Sequence, residues 1–287
     1  MNSKKPIIGF IGAGYMGYGM CLNLLNNFFN VNVIAHNNRK PIEKLVSKGA
    51  KELKTLQELT YKSDLILMCL SNTPTVIEVL NDIKPHLNSN KKIIDLTTHK
   101  HNASIKIFEI FKPDEISYIV APVMGGPVQS EKGILGAIVG CHKKEFDFAK
   151  KTLNYFCKEV FYFGSIENAI KVKLLSNFLA LGTTTFVIET IKSAKKLDVD
   201  LNKFFSVAKL GSGNSGALDR IADKVLNDDY TGYVFSVNNT LKDLNYIYEL
   251  LNDHENSKEL AFITKSFYEV AKEKGYGDLL ISELINK

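Results

Sequence analysis

A glycine-rich turn near the start of the chain is the feature that most constrains its fold. The apolar run Pro6–Gly12 has the length of a buried strand, and Gly12-Ala13-Gly14-Tyr15-Met16-Gly17 continues directly from it. The residues that follow, up to Asn27, have the apolar spacing of a helix. The GxGxxG pattern alone is a weak signal, but between a strand and a helix it predicts the first βα unit of a dinucleotide-binding sheet.

Each glycine of this turn has a separate physical task. Gly12 permits the tight turn, Gly14 lets the backbone approach a pyrophosphate, and Gly17 lets the helix pack closely on the strand. The helix start offers N–H groups and a partial positive charge to phosphates. The predicted cofactor contacts here are Gly12, Ala13, Gly14, Tyr15 and Met16. The alternative is a glycine turn that binds no ligand.

The first half of the chain alternates strand and helix patterns, whereas the second half contains only helix patterns. Alternating strands and helices predict βαβ units and a mostly parallel sheet. The predicted strands are Pro6–Gly12, Val31–His36, Asp64–Leu70, Lys91–Thr97, Ile116–Val123, Leu135–Gly140 and Glu159–Gly164. We therefore predict an α/β protein, in which an N-terminal Rossmann doubly wound sheet (residues 1–163) is joined by a long interdomain helix to an all-α C-terminal domain (residues 164–287).

Composition narrows the class of protein. The chain has 287 residues, 45% of them hydrophobic, and a net charge of +5 spread without charged blocks, so nucleic acid and membrane partners are not expected. The uncharged run Leu174–Ile188 is shorter than the roughly 20 residues of a spanning helix. The chain starts with no signal-peptide pattern, and its four cysteines form no metal-type pairing. We expect a cytoplasmic protein without a bound metal.

The end of the second predicted strand bears on the choice of cofactor. No acidic residue follows Val31–His36 until Glu43, although a carboxylate at this place would bind the ribose of NAD and repel a 2′-phosphate. Asn38 and Arg39 stand there instead and could bind that phosphate. We predict NADP as the cofactor, with NAD as a possible substitute. Solvated loop charges are the alternative interpretation.

The helix pattern that contains Asn168–Ile191 is apolar on almost every side but carries two lysines near its start. Lys173 and Asn177 are four residues apart and therefore share a helix face. Lys171 lies about 200° around the helix from Lys173, so the two lysines cannot enter one site. Lys173 is the candidate catalytic residue, and a helix-end lysine that reaches solvent is the alternative.

Four stretches, in order along nearly the whole chain, resemble the β-hydroxyacid dehydrogenase family. GFIGAGYMGYGMCLNLL is similar to the family's GxGxMGxxMxxNL, and DLTTHKH (Asp95–His101) is similar to its D-x-S-T-x-x-P. APVMGGPVQSEKGILGAIVG (Ala121–Gly140) resembles D-A-P-V-S-G-G…G-x-L, and KVKLLSNF resembles K-x-x-N-N, with Lys173 at the catalytic lysine. A Lys-Asp pair in LKDL (Leu241–Leu244) also matches.

This resemblance implies an NAD(P)-dependent oxidoreductase that interconverts a small 2- or 3-hydroxy acid and its semialdehyde or keto acid. Lys173 and Asn177 would be catalytic, and the active site would lie between the domains. The resemblance also implies a small carboxylate-bearing substrate. The helical domain is small to cover its own hydrophobic faces, so we predict a homodimer or homotetramer. The implied substrate contacts are Thr98, Val123, Met124, Gly125, Gly126, Lys173 and Asn177. Further cofactor contacts are expected at Leu70, Ser71, Thr98 and Lys242.

Several positions depart from the family pattern. Val120 stands where Asp is common, and Met124 replaces a serine that contacts substrate in relatives. His101 stands where Pro is usual, and Ser176 where a second Asn is common. The Met124 change leaves the identity of the substrate open.

Two alternative functions remain. One is an imine reductase-like NADPH oxidoreductase and the other is a catalytically silent cofactor-binding protein, and Lys173 argues against both.

Overall fold

The computed structural model describes residues 5–111 and 116–287. A six-stranded parallel sheet forms the first part of the chain. Its strands are β1 (Ile8–Ile11), β2 (Val31–Ile34), β3 (Lys51–Leu53), β4 (Leu65–Met68), β5 (Lys92–Asp95) and β6 (Ser117–Val120). They lie in the order β3-β2-β1-β4-β5-β6, which is the order of a doubly wound nucleotide-binding sheet.

Helices connect these strands, as the alternating pattern predicts. They are α1 (Tyr15–Asn26), α2 (Lys40–Val46), α3 (Leu56–Tyr61), α4 (Thr73–Ile83) and α5 (His101–Phe111). All four residues of β1 and of β4 are buried, which is expected where helices cover both faces of a parallel sheet. Register places Ile11 beside Met68 and Met68 beside Asp95. The carboxyl ends of β1, β4 and β5 therefore meet at one edge.

A smaller three-stranded sheet follows. Its strands are β7 (Val123–Met124), β8 (Leu135–Val139) and β9 (Cys157–Tyr162), connected by α6 (Pro127–Glu131) and α7 (Lys143–Leu153). β7 is antiparallel to β8, and β8 is parallel to β9. A bridge between Val120 and Gly140 links the end of β6 to the end of β8. Val120 is fully buried, so the valine at this departure from the family pattern is a core residue.

The remainder of the described chain is helical, as predicted, with no named strand after Tyr162. Its helices are α8 (Ile166–Lys196), α9 (Leu201–Leu210), α10 (Gly216–Val225), α11 (Val237–Leu250) and α12 (Glu255–Glu273), followed by a 3-10 segment at Ile281–Asn286. Capping side chains define three of the starts, because Asp200, Ser215 and Ser236 accept hydrogen bonds from the first turns of α9, α10 and α11. In the glycine-rich turn before α10, Ser215 thus has a capping role.

Packing divides the chain into two compact units, Met1–Lys173 and Leu174–Lys287. The division falls inside α8, whereas the boundary predicted at residue 163 comes before that helix and stays a prediction.

By length and composition α8 could cross a membrane, and the core helix of a soluble protein passes the same test. Within the second unit, buried Thr185 of α8 shares a 2.7 Å hydrogen bond with Tyr268 of α12.

Candidate active site

The turn after β1 has the backbone geometry that its glycines predict. Gly12 has a φ of +95°, and a Cβ at this position would collide with the carbonyl oxygen of Cys69. A Cβ on Gly17 would collide with the carbonyl oxygen of Gly12, so α1 packs directly on the turn. Gly14 is different, because a Cβ there would meet no atom within 4 Å. Two of the glycines are required by the fold, and the third borders open space.

The start of α1 beside this open space offers free backbone donors to an anion. Gly14 is the N-cap of α1 and has no side chain with which to bond the first N–H groups of the helix. Those groups, on Tyr15 and the residues after it, lie at the carboxyl end of β1, where the strand order reverses. A helix start in this position carries a partial positive charge. The residues present therefore fit an anionic cofactor.

The ends of β4 and β5 bring other predicted contacts to the same edge. The N–H of Leu70 donates to Thr97 Oγ1 at 3.0 Å, and the N–H of Thr97 donates to Asp95 Oδ1 at 2.9 Å. Ser71 is exposed and Thr98 is half-buried. The hydroxyl of Thr97 thus fixes the backbone from which Leu70 and Ser71 extend.

Asp95 is the centre of a buried polar cluster that the sequence did not reveal. Its Oδ2 accepts hydrogen bonds from His99 Nε2 at 2.7 Å and from the hydroxyl of Tyr118 on β6. Thr73 Oγ1 lies 3.4 Å from His99 Nδ1 and accepts the N–H of Lys100 at 3.0 Å. The cluster fixes the β5–α5 loop, which carries Thr98. An acid at a strand end followed four residues later by histidine was the available signal.

Burial raises the pKa of Asp95, but its neighbours outweigh that effect. The charge of His99 and the hydrogen bonds from His99, Tyr118 and Thr97 stabilise the carboxylate, and the resulting pKa lies below the ordinary value. Burial raises the pKa of Tyr118, and the nearby Asp95 carboxylate raises it further, so this phenol stays protonated.

Replacing Asp95 by asparagine is therefore expected to destabilise the protein in a pH-dependent way. The folded pKa is below the unfolded value of about 3.9, so the carboxylate stabilises the fold above about pH 4. That stability is lost as the pH falls through the lower folded pKa. At pH 7 the variant should lose about 3 kcal/mol, the scale for breaking a buried pair. Tyr118→Phe, which removes one hydrogen bond to the charged carboxylate, should lose about 2 kcal/mol.

Urea unfolding at pH 7 and at pH 3 checks this expectation. The difference in free energy of unfolding between wild type and Asp95→Asn should narrow at pH 3. An equal difference at both pH values would mean that the ionised carboxylate is not the stabilising species.

The loop after β2 places Asn38 and Arg39 at the surface, before α2. Asn38 Oδ1 accepts the N–H of Lys40 at 3.2 Å, which makes a local turn. Arg39 Nη2 contacts both carboxylate oxygens of Glu52, at 3.0 and 3.1 Å. Glu52 belongs to β3, and neither this strand nor this ion pair was predicted from the sequence. The guanidinium that is predicted to bind a phosphate thus already has a carboxylate partner.

The predicted substrate turn follows β7. Gly125 has a φ of +115°, and a Cβ there would lie 2.9 Å from Leu135 Cδ2, so this turn requires glycine. The N–H of Gly126 donates to Gln129 Oε1 at 3.0 Å. The amide oxygen of Gln129 therefore already holds the N–H of Gly126, one of the backbone donors of this predicted turn. Val123 is buried.

Met124 lies over a glycine of the neighbouring strand. It pairs with Gly136 of β8, and a Cβ on Gly136 would lie 3.0 Å from Met124 Cε. The side chain is half-buried, so the methionine supplies apolar surface beside the predicted substrate turn, at the position where the resemblance leads us to expect a serine.

Lys173 and Lys171 have different environments, as their helical spacing predicts. Lys173 is 8% exposed, whereas Lys171 is half-buried and forms an ion pair with Glu167. The first turn of α8 packs against the end of β8, because a Cβ on Gly140 would collide with Ser165 and Ala169. β8 in turn pairs with β7. The small sheet therefore connects the helix start that carries Lys173 with the Gly125–Gly126 turn.

Asn177 lies one turn after Lys173 and bonds a buried carboxylate. Its Nδ2 donates to Asp243 Oδ2 at 2.6 Å, and Lys242 Nζ lies 3.0 Å from Asp243 Oδ1. Asp243 is 2% exposed. In the sequence, Asp243 stood out only as the partner of Lys242 in the Lys-Asp pair of LKDL. The structure shows instead a buried acid that contacts two predicted site residues.

Helix α1 is bonded to α6, which follows the substrate turn. Asn23 Nδ2 donates to the carbonyl oxygens of Ser130 at 2.9 Å and Glu131 at 3.1 Å, and Ser130 Oγ donates to the carbonyl of Met16 at 2.6 Å. A Cβ on Gly19 would collide with the backbone of Ser130 and Glu131. The family-like Asn23 therefore joins the predicted cofactor helix to the predicted substrate turn, a role that spacing alone did not suggest.

Family models match both parts of the chain. Residues 7–164 match the NAD binding domain of 6-phosphogluconate dehydrogenase, and residues 168–287 match the NAD-binding domain of NADP-dependent 3-hydroxyisobutyrate dehydrogenase. The chain belongs to the β-hydroxyacid dehydrogenase family. The predicted family, the Rossmann fold with a helical C-terminal region and the NAD(P) cofactor are thereby confirmed.

Individual β-hydroxyacid dehydrogenase relatives are distant. Glyoxylate/succinic semialdehyde reductase 2, chloroplastic, of Arabidopsis thaliana is 27% identical over 281 residues, which are 97% of this chain and 78% of the relative. The structure of 3-hydroxyisobutyrate dehydrogenase of Mycobacterium tuberculosis with L-serine has a TM-score of 0.84 at 19% identity and 99% coverage of both chains. Psf3 in complex with NADP⁺ and 2-OPP has a TM-score of 0.89 at 22% identity, covering 98% of this chain and 99% of that one. These structural similarities establish the fold.

Proposed function

We propose that this chain is an NADP-preferring β-hydroxyacid dehydrogenase or semialdehyde reductase. It would interconvert a small 2- or 3-hydroxy acid and its semialdehyde or keto acid, with Lys173 as general acid/base. The observation that carries the proposal is the burial of Lys173 one turn before Asn177, on a helix whose start packs against the small sheet. A buried ammonium is costly and is rarely retained without a task.

The glycine turn would hold the cofactor's pyrophosphate. Backbone N–H groups at the start of α1 would donate to it over Gly14, and Arg39 with Asn38 would bind a 2′-phosphate. Leu70, Ser71 and Thr98 would line the cofactor at the ends of β4 and β5, and Lys242 would be a further contact. When bound, the nicotinamide supplies a hydride in reduction and accepts one in oxidation.

Lys173 would move the proton of the reaction. In reduction its ammonium donates a proton to the substrate oxygen as negative charge develops there, and in oxidation its neutral amine takes the hydroxyl proton. Asn177 shares the helix face of Lys173 and would orient the same oxygen, with Asp243 fixing the amide of Asn177.

The substrate carboxylate would bind at the turn that contains Gly125 and Gly126. Val123 and Met124 precede this turn and would contact the carbon chain, and Thr98 would lie between substrate and nicotinamide. The amide oxygen of Gln129 holds the N–H of Gly126. Its NH₂ group, which no described residue bonds, is thus a donor beside the turn.

We also propose a cytoplasmic homodimer or homotetramer with domains at residues 1–163 and 164–287. Support for self-association comes from α8, where Leu175, Leu179 and Phe186 are exposed at spacings of one helix face. An exposed apolar stripe of this kind commonly marks a protein interface. Light scattering coupled to size-exclusion chromatography tests it, and a monomer at micromolar concentration would refute it.

A substrate panel tests the activity. NADPH should be oxidised faster in the presence of at least one of glyoxylate, succinic semialdehyde and methylmalonate semialdehyde than without substrate. With the same substrate, NADH should be oxidised more slowly than NADPH. Lys173→Ala, run beside the wild type, identifies background reactions. If no panel member is reduced while NADPH still binds, a catalytically silent cofactor-binding protein would be the better description.

A further inference from the structure

The guanidinium of Arg39 is held between two carboxylates. Arg39 Nη2 contacts Glu52 Oε1 at 3.0 Å and Oε2 at 3.1 Å, and Arg39 Nε lies 3.8 Å from Glu43 Oε1. The Arg39 side chain is 56% exposed, whereas that of Glu52 is 32% exposed. By these distances, Glu52 is the closer of the two acids to the guanidinium.

The sheet fixes the position of Glu52. This residue is the middle one of β3, and its register partner in β2 is Val33, just before the loop that ends at Arg39. Glu43 is attached differently, since it lies on α2 one turn after Arg39 and its side chain is 64% exposed. A strand residue with defined register keeps its carboxylate beside the loop, whereas an exposed helix side chain moves away easily.

Two carboxylates face the single positive charge of Arg39. Glu52 contacts the guanidinium at 3.0 Å and Glu43 lies 3.8 Å from it. A 2′-phosphate approaching Arg39 would be attracted by the guanidinium and repelled by the carboxylate of Glu52. Because Glu52 contacts Nη2, donors on Nη1 stay available for a phosphate. The effect of Glu52 on binding is therefore mainly one of charge.

We infer that Glu52 is a selectivity-determining residue that weakens binding of the 2′-phosphate and thereby keeps NAD usable beside NADP. This inference rests on the proposed role of Arg39 as the phosphate ligand. A chain with no acid at the end of β2 thereby still has a negative charge that narrows the preference for the phosphate. The acid comes from the neighbouring strand and acts through the arginine.

Direct cofactor titration tests the inference without any substrate. The dissociation constants of NADPH and NADH are measured by nicotinamide fluorescence, and the chain contains no tryptophan to interfere. Glu52→Gln keeps the shape of the side chain and removes its charge. We expect it to tighten NADPH binding about fivefold, the upper range for an exposed ion pair, and to leave NADH within about twofold. Glu43→Gln is the matched control and should have the smaller effect.

Salt and a second variant complete the test. The gain from Glu52→Gln should shrink as ionic strength rises, because exposed charges are screened. Arg39→Ala should weaken NADPH binding and leave NADH binding nearly unchanged. Suppose that Arg39→Ala weakens NADPH binding as expected, but Glu52→Gln leaves NADPH binding unchanged or weakens it. The inference about Glu52 is then overturned, and the proposed phosphate site at Arg39 stands. If Arg39→Ala leaves the ratio of the two constants unchanged, the proposed phosphate site is overturned as well.

Discussion

Lys173→Met is expected to lower kcat by roughly 10²- to 10⁴-fold, which is the usual contribution of a general acid or base. Methionine keeps the length and the apolar stem of the buried side chain but has no proton to give. Because the cofactor turn is formed by other residues, the dissociation constant of NADPH should change little. The variant's kcat is measured with whichever panel aldehyde the wild type reduces, and its NADPH affinity by fluorescence titration.

Two further lysine variants make this prediction specific. Lys173→Arg keeps a positive charge, but arginine is not deprotonated in proteins, so it should fail in the oxidation direction. Lys171→Ala removes the ion pair with Glu167 at the half-buried helix start and should leave kcat within about twofold, since exposed pairs contribute little. Equal losses in the Lys171 and Lys173 variants would indicate damage to the start of α8 rather than a lost proton donor.

Gly14→Ala should separate cofactor binding from folding. In the structure a Cβ at this position meets no atom within 4 Å, so the fold should accept alanine at a cost of about 1 kcal/mol or less for the weaker N-cap. The added methyl would occupy the space into which the pyrophosphate must come. We expect the dissociation constant of NADPH to rise more than tenfold, while the melting temperature without cofactor falls by only a few degrees.

Gly12→Ala is the contrasting variant. It combines a φ of +95° with a collision against the carbonyl of Cys69, so it should reduce stability strongly even without cofactor. Thermal unfolding of both variants measures the loss of stability, and NADPH titration measures the loss of cofactor affinity. If Gly14→Ala binds NADPH as tightly as wild type, the pyrophosphate does not lie against this turn.

Local features of the chain could be predicted because their physical causes are local. The turn Gly12–Gly17 needs glycines for its own backbone geometry, and the pairing of Lys173 with Asn177 follows from helical spacing. The strand β3 was missed because Lys51–Leu53 is three residues long and has no apolar pattern. A short, charged edge strand is a common way to prevent sheet aggregation, but it leaves little signal in a sequence.

Contacts between distant residues could not be predicted, because sheet register creates them. Asp95 and Tyr118 meet only since β5 and β6 pair in parallel, with Asp95 beside Val120. Arg39 meets Glu52 for a similar reason, across the pairing of β2 with β3. The sequence therefore supplied the predicted ligands of a cofactor, whereas their supporting partners became visible only in the folded chain.

The bonds between α1 and α6 have a consequence for binding. Asn23 and Ser130 already fix the segment after Gly125–Gly126 to the helix that begins beside Gly14. The conformational entropy of ordering that segment is thus lost when the chain folds, before any ligand arrives. A substrate that meets an ordered turn gains more net affinity per contact than one that must order it. Weakening these two bonds should therefore raise the KM for substrate even though neither side chain is expected to touch it.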